Sequence, residues 1–144
     1  MIKGMLSYPI LIMMLQTMTG KIVIGLRHTS ELTVTDAVTA SVMGSGDMPV
    51  LATPAMMALM ENAAMMASAE ALPEGCTSVG GHIASSHLKP SKIGDKITAT
   101  AEVTKVEGKK VEFRVAAYSG ETLLGKGTHL RFVVEKERFM SKLG

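Results

Sequence analysis

The sequence predicts an α+β domain in which one antiparallel sheet wraps a single long helix. Three observations carry this expectation: an unbroken Met- and Ala-rich run beginning at Thr53, a series of strand-like stretches downstream separated by glycine turns, and a length of 144 residues that suits one domain with a real core. The domain is expected over residues 21–144, with residues 1–20 as an N-terminal extension.

Taken in order, Met1 to Thr17 contains Lys3 and then the apolar stretch Pro9-Ile-Leu-Ile-Met-Met-Leu. It superficially matches a signal peptide, but nothing like Ala-x-Ala follows, Pro9 interrupts the stretch, and the run is too short to span a bilayer. Two readings remain: Met18 as the natural start, or a helix or strand packing on the domain or on a partner subunit. Ser30-Glu-Leu-Thr-Val-Thr alternates as a strand, and Asp36 is placed to cap a short helix through Val42 before the Gly44-Ser-Gly-Asp loop. Met48-Pro-Val-Leu leads into the long helix, which Pro73 and Gly75 end. Thr77 to Leu88 then reads as a strand that stops at Pro90. Ile97, Ala99, Ala101 and Val103 alternate against Thr98, Thr100, Glu102 and Thr104, Gly108 turns the chain into Val111-Glu-Phe-Arg-Val-Ala, and Gly120 marks the next turn. On the last strand, Gly125 to Val134, residues Thr128, Leu130, Phe132 and Val134 share one face and His129 and Arg131 the other. The strands together read as an antiparallel meander, and only the long helix is apolar and long enough to cover it.

Inside that helix Glu61 is the only ionisable residue between Asp47 and Glu70. Apolar residues fall on every face of the run, so the helix is expected to be buried nearly all round. A carboxylate there must be paired, protonated, or turned toward a polar cleft where chemistry happens. The last option points to an enzyme.

Composition excludes several classes. The formal charge of +2 is spread along the chain with no basic block interleaved with aromatics, so a nucleic-acid binder is not expected. Thirteen methionines beside an aromatic content of 3% imply a core of Met, Val, Ala, Ile and Leu, or a groove lined by Met. The single cysteine, Cys76, cannot form an internal disulfide, which suits a reducing cytoplasm. No Cys/His pair has zinc-ligand spacing, and His82 and His87, an odd five residues apart, point to opposite faces of a strand unless a bulge intervenes. There is no Gly-x-Ser-x-Gly elbow, P-loop or dinucleotide fingerprint, and the Gly125-x-Gly127 pair lacks the strand-to-helix context of such loops. Neither a metal nor a cofactor is expected.

Three separated blocks, Leu51-Ala-Thr-Pro-Ala-Met-Met-Ala-Leu-Met-Glu, Ser78-Val-Gly-Gly-His-Ile-Ala-Ser-Ser-His and Gly125-Lys-Gly-Thr-His-Leu-Arg, resemble the hot-dog fold thioesterases, in particular the fluoroacetyl-CoA thioesterase branch. The resemblance runs from about Leu26 to the C-terminus. It implies a single hot-dog domain, an acyl-CoA substrate, a homodimer with sites at the subunit interface, a catalytic set at Thr53, Glu61 and His87, and substrate contacts at Gly80 and Arg131. Members of that branch carry a phenylalanine-bearing lid before the threonine, whereas Thr39-Ala-Ser-Val-Met-Gly-Ser-Gly-Asp-Met has no aromatic residue. The expectation is therefore a thioesterase for a small or medium acyl group.

Hydrolysis of a thioester needs a nucleophile or activated water, a proton-handling group, and donors for the oxyanion. Glu61 fits base or nucleophile, His87 acid or base, Thr53 a hydrogen-bond partner of Glu61 or substrate, and a backbone N–H at or near Gly80 the oxyanion. Each residue also has a plainer reading. Thr53 before Pro54 matches a helix N-cap with proline in the first turn, His87 a surface histidine, Arg131 a solvated strand residue, and Gly80-Gly81 a bulge. Two rival functions follow: a non-catalytic acyl-CoA-binding module, which would not depend on Glu61, and a hydratase or dehydratase that leaves the thioester intact.

Overall fold

The computed structural model describes residues 22–144, so the expectations for the N-terminal extension lie outside the described residues. Strand β1 (Arg27–Thr33) leads through a 3-10 turn (Asp36–Val38) to the short helix α1 (Ala40–Met43) and the long helix α2 (Thr53–Ala69). Strands β2 (Cys76–His87), β3 (Lys96–Glu107), β4 (Lys110–Ser119) and β5 (Thr122–Glu135) follow, and a last helix α3 (Lys136–Ser141) closes the chain. The strands form one antiparallel sheet in the order β1-β3-β4-β5-β2. The meander is thus confined to β3, β4 and β5; β2 returns beside β5, and β1 and β2 form the two edges.

Alternation builds the core. Ile97, Ala99, Ala101 and Val103 of β3 and Val111, Phe113, Val115 and Ala117 of β4 are buried and face Ala55, Met56, Leu59, Met60, Ala63 and Ala64 of α2. Alanine on both sides lets helix and sheet approach closely, and the fully buried Met56 and Met60 fill the remaining irregular space.

Several sequence-based expectations need correction. The long helix is not buried all round: Pro54, Ala58, Asn62, Met66 and Ala69 recur at helical spacing on an exposed stripe. A sheet curled over one side covers only part of a helix, and because this stripe includes alanine and methionine, the sequence carries no polar stripe to reveal it. Asp36 caps nothing; the N-cap of α1 is Thr39, whose hydroxyl accepts from the Val42 amide, and Asp36 lies in the preceding 3-10 turn. The first strand ends at Thr33, earlier than its alternation suggests, and β3 and β4 run several residues beyond their apolar patterns because main-chain pairing continues to Glu107 and Ser119. The C-terminal helix was not expected.

Candidate active site

The entry to α2 explains the position of Thr53. The N-cap is Ala52, which has no side chain to bond the first-turn amides, and Pro54 needs no amide partner there. Thr53 therefore does not cap. Its hydroxyl lies 2.7 Å from Nδ1 of His87 at the end of β2. The other ring nitrogen, Nε2 of His87, is buried without a hydrogen-bond partner among the described residues. Beside the pair is a cavity of about 320 Å³ lined by Thr53, His87, Ala40, Leu51, Leu88 and Lys89.

A bulge is what turns His87 inward. Gly80 pairs with Arg131 and His82 with Leu130, so Gly81 is an extra residue on β2. Without it, Gly80 and His87, seven positions apart, would face opposite sides of the sheet. With it, Gly80, Ile83, Ser85 and His87 share the inner face, while His82 is exposed on the other. The bulge reading of Gly80-Gly81 and their proximity to a polar site thus hold together.

The second cluster lies deeper along α2. Arg131 is not solvated but 7% exposed, and His129 is 2% exposed. The apolar set on β5 faces outward, with Phe132 exposed, and the polar pair faces the helix. The guanidinium is tied down: Nε donates to the Ser78 hydroxyl at 2.8 Å, one terminal nitrogen to the Ser78 carbonyl at 2.9 Å, and the other contacts Nε2 of His129 at 3.2 Å. Glu61 stands just outside this network, one carboxylate oxygen 3.9 Å from both Arg131 and His129, with 41% of its side chain exposed. The bare backbone of Gly80 lets Glu61 approach the strand closely. A Cβ there would lie 2.7 Å from a Glu61 oxygen and 3.6 Å from an Arg131 nitrogen, so any side chain at this position would displace the Glu61 carboxylate.

Burial, reinforced by the nearby charge of Arg131, holds the His129 pKa below the usual histidine value, outweighing the His82 carbonyl and Glu61, which pull the other way. Burial likewise lowers that of Arg131, against the pull of Glu61. No group of three or more His, Cys, Asp or Glu poised to hold a metal occurs among the described residues.

Comparison with known proteins decides what this arrangement belongs to. The family described as fluoroacetyl-CoA-specific thioesterase matches residues 34–137. The chain belongs to this family. The fluoroacetyl-CoA thioesterase of Streptantibioticus cattleyicolor is 39% identical over 94 residues, which span 65% of this chain and 68% of that one. The solved structure of a threonine-to-serine variant of a fluoroacetyl-CoA thioesterase in complex with acetyl-CoA superposes with a TM-score of 0.80 at 32% identity, over 85% of this chain and 96% of that one. A thioesterase superfamily member from Thermus thermophilus gives a TM-score of 0.78 at 28% identity, over 85% and 90% of the two chains. The hot-dog fold expected from the sequence is the fold found.

For a thioesterase of this family, the chain sorts the five expected positions into two groups. Thr53 meets His87, and Glu61, Gly80 and Arg131 converge. Eight residues of helix separate Thr53 from Glu61, about 12 Å along the axis at 1.5 Å per residue. Two further residues, His129 and Ser78, belong to the second group and were not singled out from the sequence. The alternation that puts His129 on the Arg131 side was the available signal.

Proposed function

We propose that the chain hydrolyses small or medium acyl-CoA thioesters to the free acid and CoA. The observation that carries this reading is the convergence of a carboxylate, a buried guanidinium and a neutral imidazole beside the bare backbone of Gly80. A thioester carbonyl placed there meets Glu61 and a cation able to stabilise the developing oxyanion. As nucleophile, Glu61 displaces the CoA thiolate and forms a mixed anhydride that water then cleaves; as base, it takes a proton from water, which attacks the carbonyl directly. His87 protonates the departing thiolate in either route, and its bond to Thr53 fixes the ring. Rapid-quench mass spectrometry, searching for an acyl adduct on Glu61, separates the two routes. The acetyl-CoA bound by the related variant supports a short acyl group, and the segment from Thr39 to Met48, which lacks aromatics, offers no aromatic lid to favour a fluorinated one.

The working form is a homodimer in a cytoplasmic setting. Among the described residues strand β2 leaves its outer edge unpaired, Ile83, Ser85 and His87 remain half-buried on its inner face, and α2 presents an exposed stripe. Edges of this length invite pairing. Antiparallel pairing of two β2 strands about a two-fold axis at Ala84 matches inner with inner and outer with outer residues, and the Gly81 bulge then sets Gly80 opposite His87 of the second copy. That symmetry brings the Thr53–His87 pair of one protomer toward Glu61 of the other.

Release of CoA from a panel of short, medium and aromatic acyl-CoAs, compared among wild type, Glu61→Gln and His87→Ala, tests the function. Turnover lost in both variants is expected. Ligand binding without turnover in the wild type would instead indicate a binding module.

A further inference from the structure

The hydrogen bonds around His129 have only one consistent polarity. Its Nδ1 lies 2.7 Å from the His82 carbonyl oxygen, which only accepts, so Nδ1 carries the proton. Its Nε2 lies 3.2 Å from an Arg131 guanidinium nitrogen, which only donates, so Nε2 presents a lone pair. The ring is therefore neutral and in a single tautomer. The groups facing it are Glu61 from α2, the His82 carbonyl from β2, Arg131 from β5 and, from β4, the uncharged ring of Phe113 with its centroid 6.1 Å away.

We infer that His129 is a positioning residue for thioester hydrolysis: as a fixed acceptor it joins Ser78 in holding the Arg131 guanidinium 3.9 Å from Glu61, an ion pair without a hydrogen bond, near enough for both to act on the same substrate carbonyl. This rests on the assignment of Glu61 and Arg131 to that reaction. Guanidinium and carboxylate favour a two-pronged pair, which would engage both carboxylate oxygens and withdraw the Arg131 donors from the substrate. Three of the five Arg131 donors are instead spent on Ser78 and His129. The two remaining N–H groups are left for a substrate oxygen brought up beside Gly80. Were His129 protonated, Nε2 would become a donor, oppose Arg131 and attract Glu61.

Two substitutions divide the ring's functions. Gln at 129 can carry an acceptor oxygen near the Nε2 position, whereas Asn can keep a donor near Nδ1 for the His82 carbonyl but cannot reach Arg131. Positioning of Arg131 predicts that His129→Gln keeps kcat within about threefold of wild type and that His129→Asn lowers kcat by about tenfold or more with KM little changed, the scale of a lost hydrogen bond to a charged group. The opposite order, or equal activities, would overturn the inference. Independently of folding in either variant, nitrogen-15 NMR of the wild-type histidines should show His129 neutral at pH 7 with its proton on Nδ1; an imidazolium or a proton on Nε2 would overturn it. Glu61→Gln measured alongside locates a failure. If that variant keeps full turnover, the assignment of Glu61 itself fails, and His129 has no reaction to serve.

Discussion

At the N-terminal end of α2, Thr53 and His87 share one hydrogen bond and leave Nε2 of His87 buried and, among the described residues, unpartnered, whereas two turns further along, Arg131, His129 and Ser78 form a closed network with Glu61 held just outside it. The first region is built on a helix entry and a strand end; the second is locked between buried residues of adjacent strands. The contrast separates roles. A proton-transfer residue needs a free nitrogen to give or take a proton, while an electrostatic group must stay fixed as charge develops on the substrate. Neither region alone holds the expected catalytic set.

Substitutions can sharpen or break this division. The largest effect is expected at Glu61: Glu61→Gln should fold normally and lose about a hundredfold or more in kcat, the usual size of a lost acid-base contribution, as read by CoA release beside a thermal melt. Next is Gly80→Ala, whose methyl would lie 2.7 Å from a Glu61 oxygen. That oxygen ends a flexible side chain and can swing aside, so the fold should survive while kcat/KM falls by about tenfold or more through displacement of the Glu61 carboxylate. Thr53→Val removes the 2.7 Å bond to His87 but leaves the ring in place, and a loss of about three- to tenfold in kcat is expected. A loss as large as that of Glu61→Gln would show that the threonine does more than orient the histidine.

The smallest effect concerns stability. His129 is neutral in the folded chain, its pKa held below the ordinary histidine value by burial, reinforced by the charge of Arg131. Between that lowered value and 6.5, the unfolded chain binds more protons than the folded one, so stability drops as pH is lowered through the ordinary histidine range. Denaturation midpoints of wild type and His129→Gln between about pH 7.5 and pH 5 should converge as pH falls. Parallel curves would mean that His129 does not titrate in this way.

Much of the fold was legible because its signals are local. Alternation marked β3, β4 and β5, glycines marked their turns, and the Met- and Ala-rich run marked α2. The exposed stripe of α2 was hidden because its residues include alanine and methionine, which sequence patterns place in a core as readily as on an interface. The sheet order was also hidden, since the return of β2 beside β5 depends on pairing distant in sequence. In the site, the five residues drawn from the family blocks are gathered into two groups, whereas His129 was marked only by the face it shares with Arg131 and Ser78 by nothing of its own. Their importance is geometric: each touches Arg131, and only the folded strands put them there.

In the proposed dimer the two regions are halves of one site, completed across a two-fold interface. Co-expression of differently tagged Glu61→Gln and His87→Ala chains, followed by purification through both tags, yields a heterodimer in which one site has both wild-type groups and the other has neither. This heterodimer is expected to recover about half the wild-type CoA release per dimer although each parent variant is nearly inactive. A heterodimer no more active than its parents would contradict that arrangement and place the whole site within one chain.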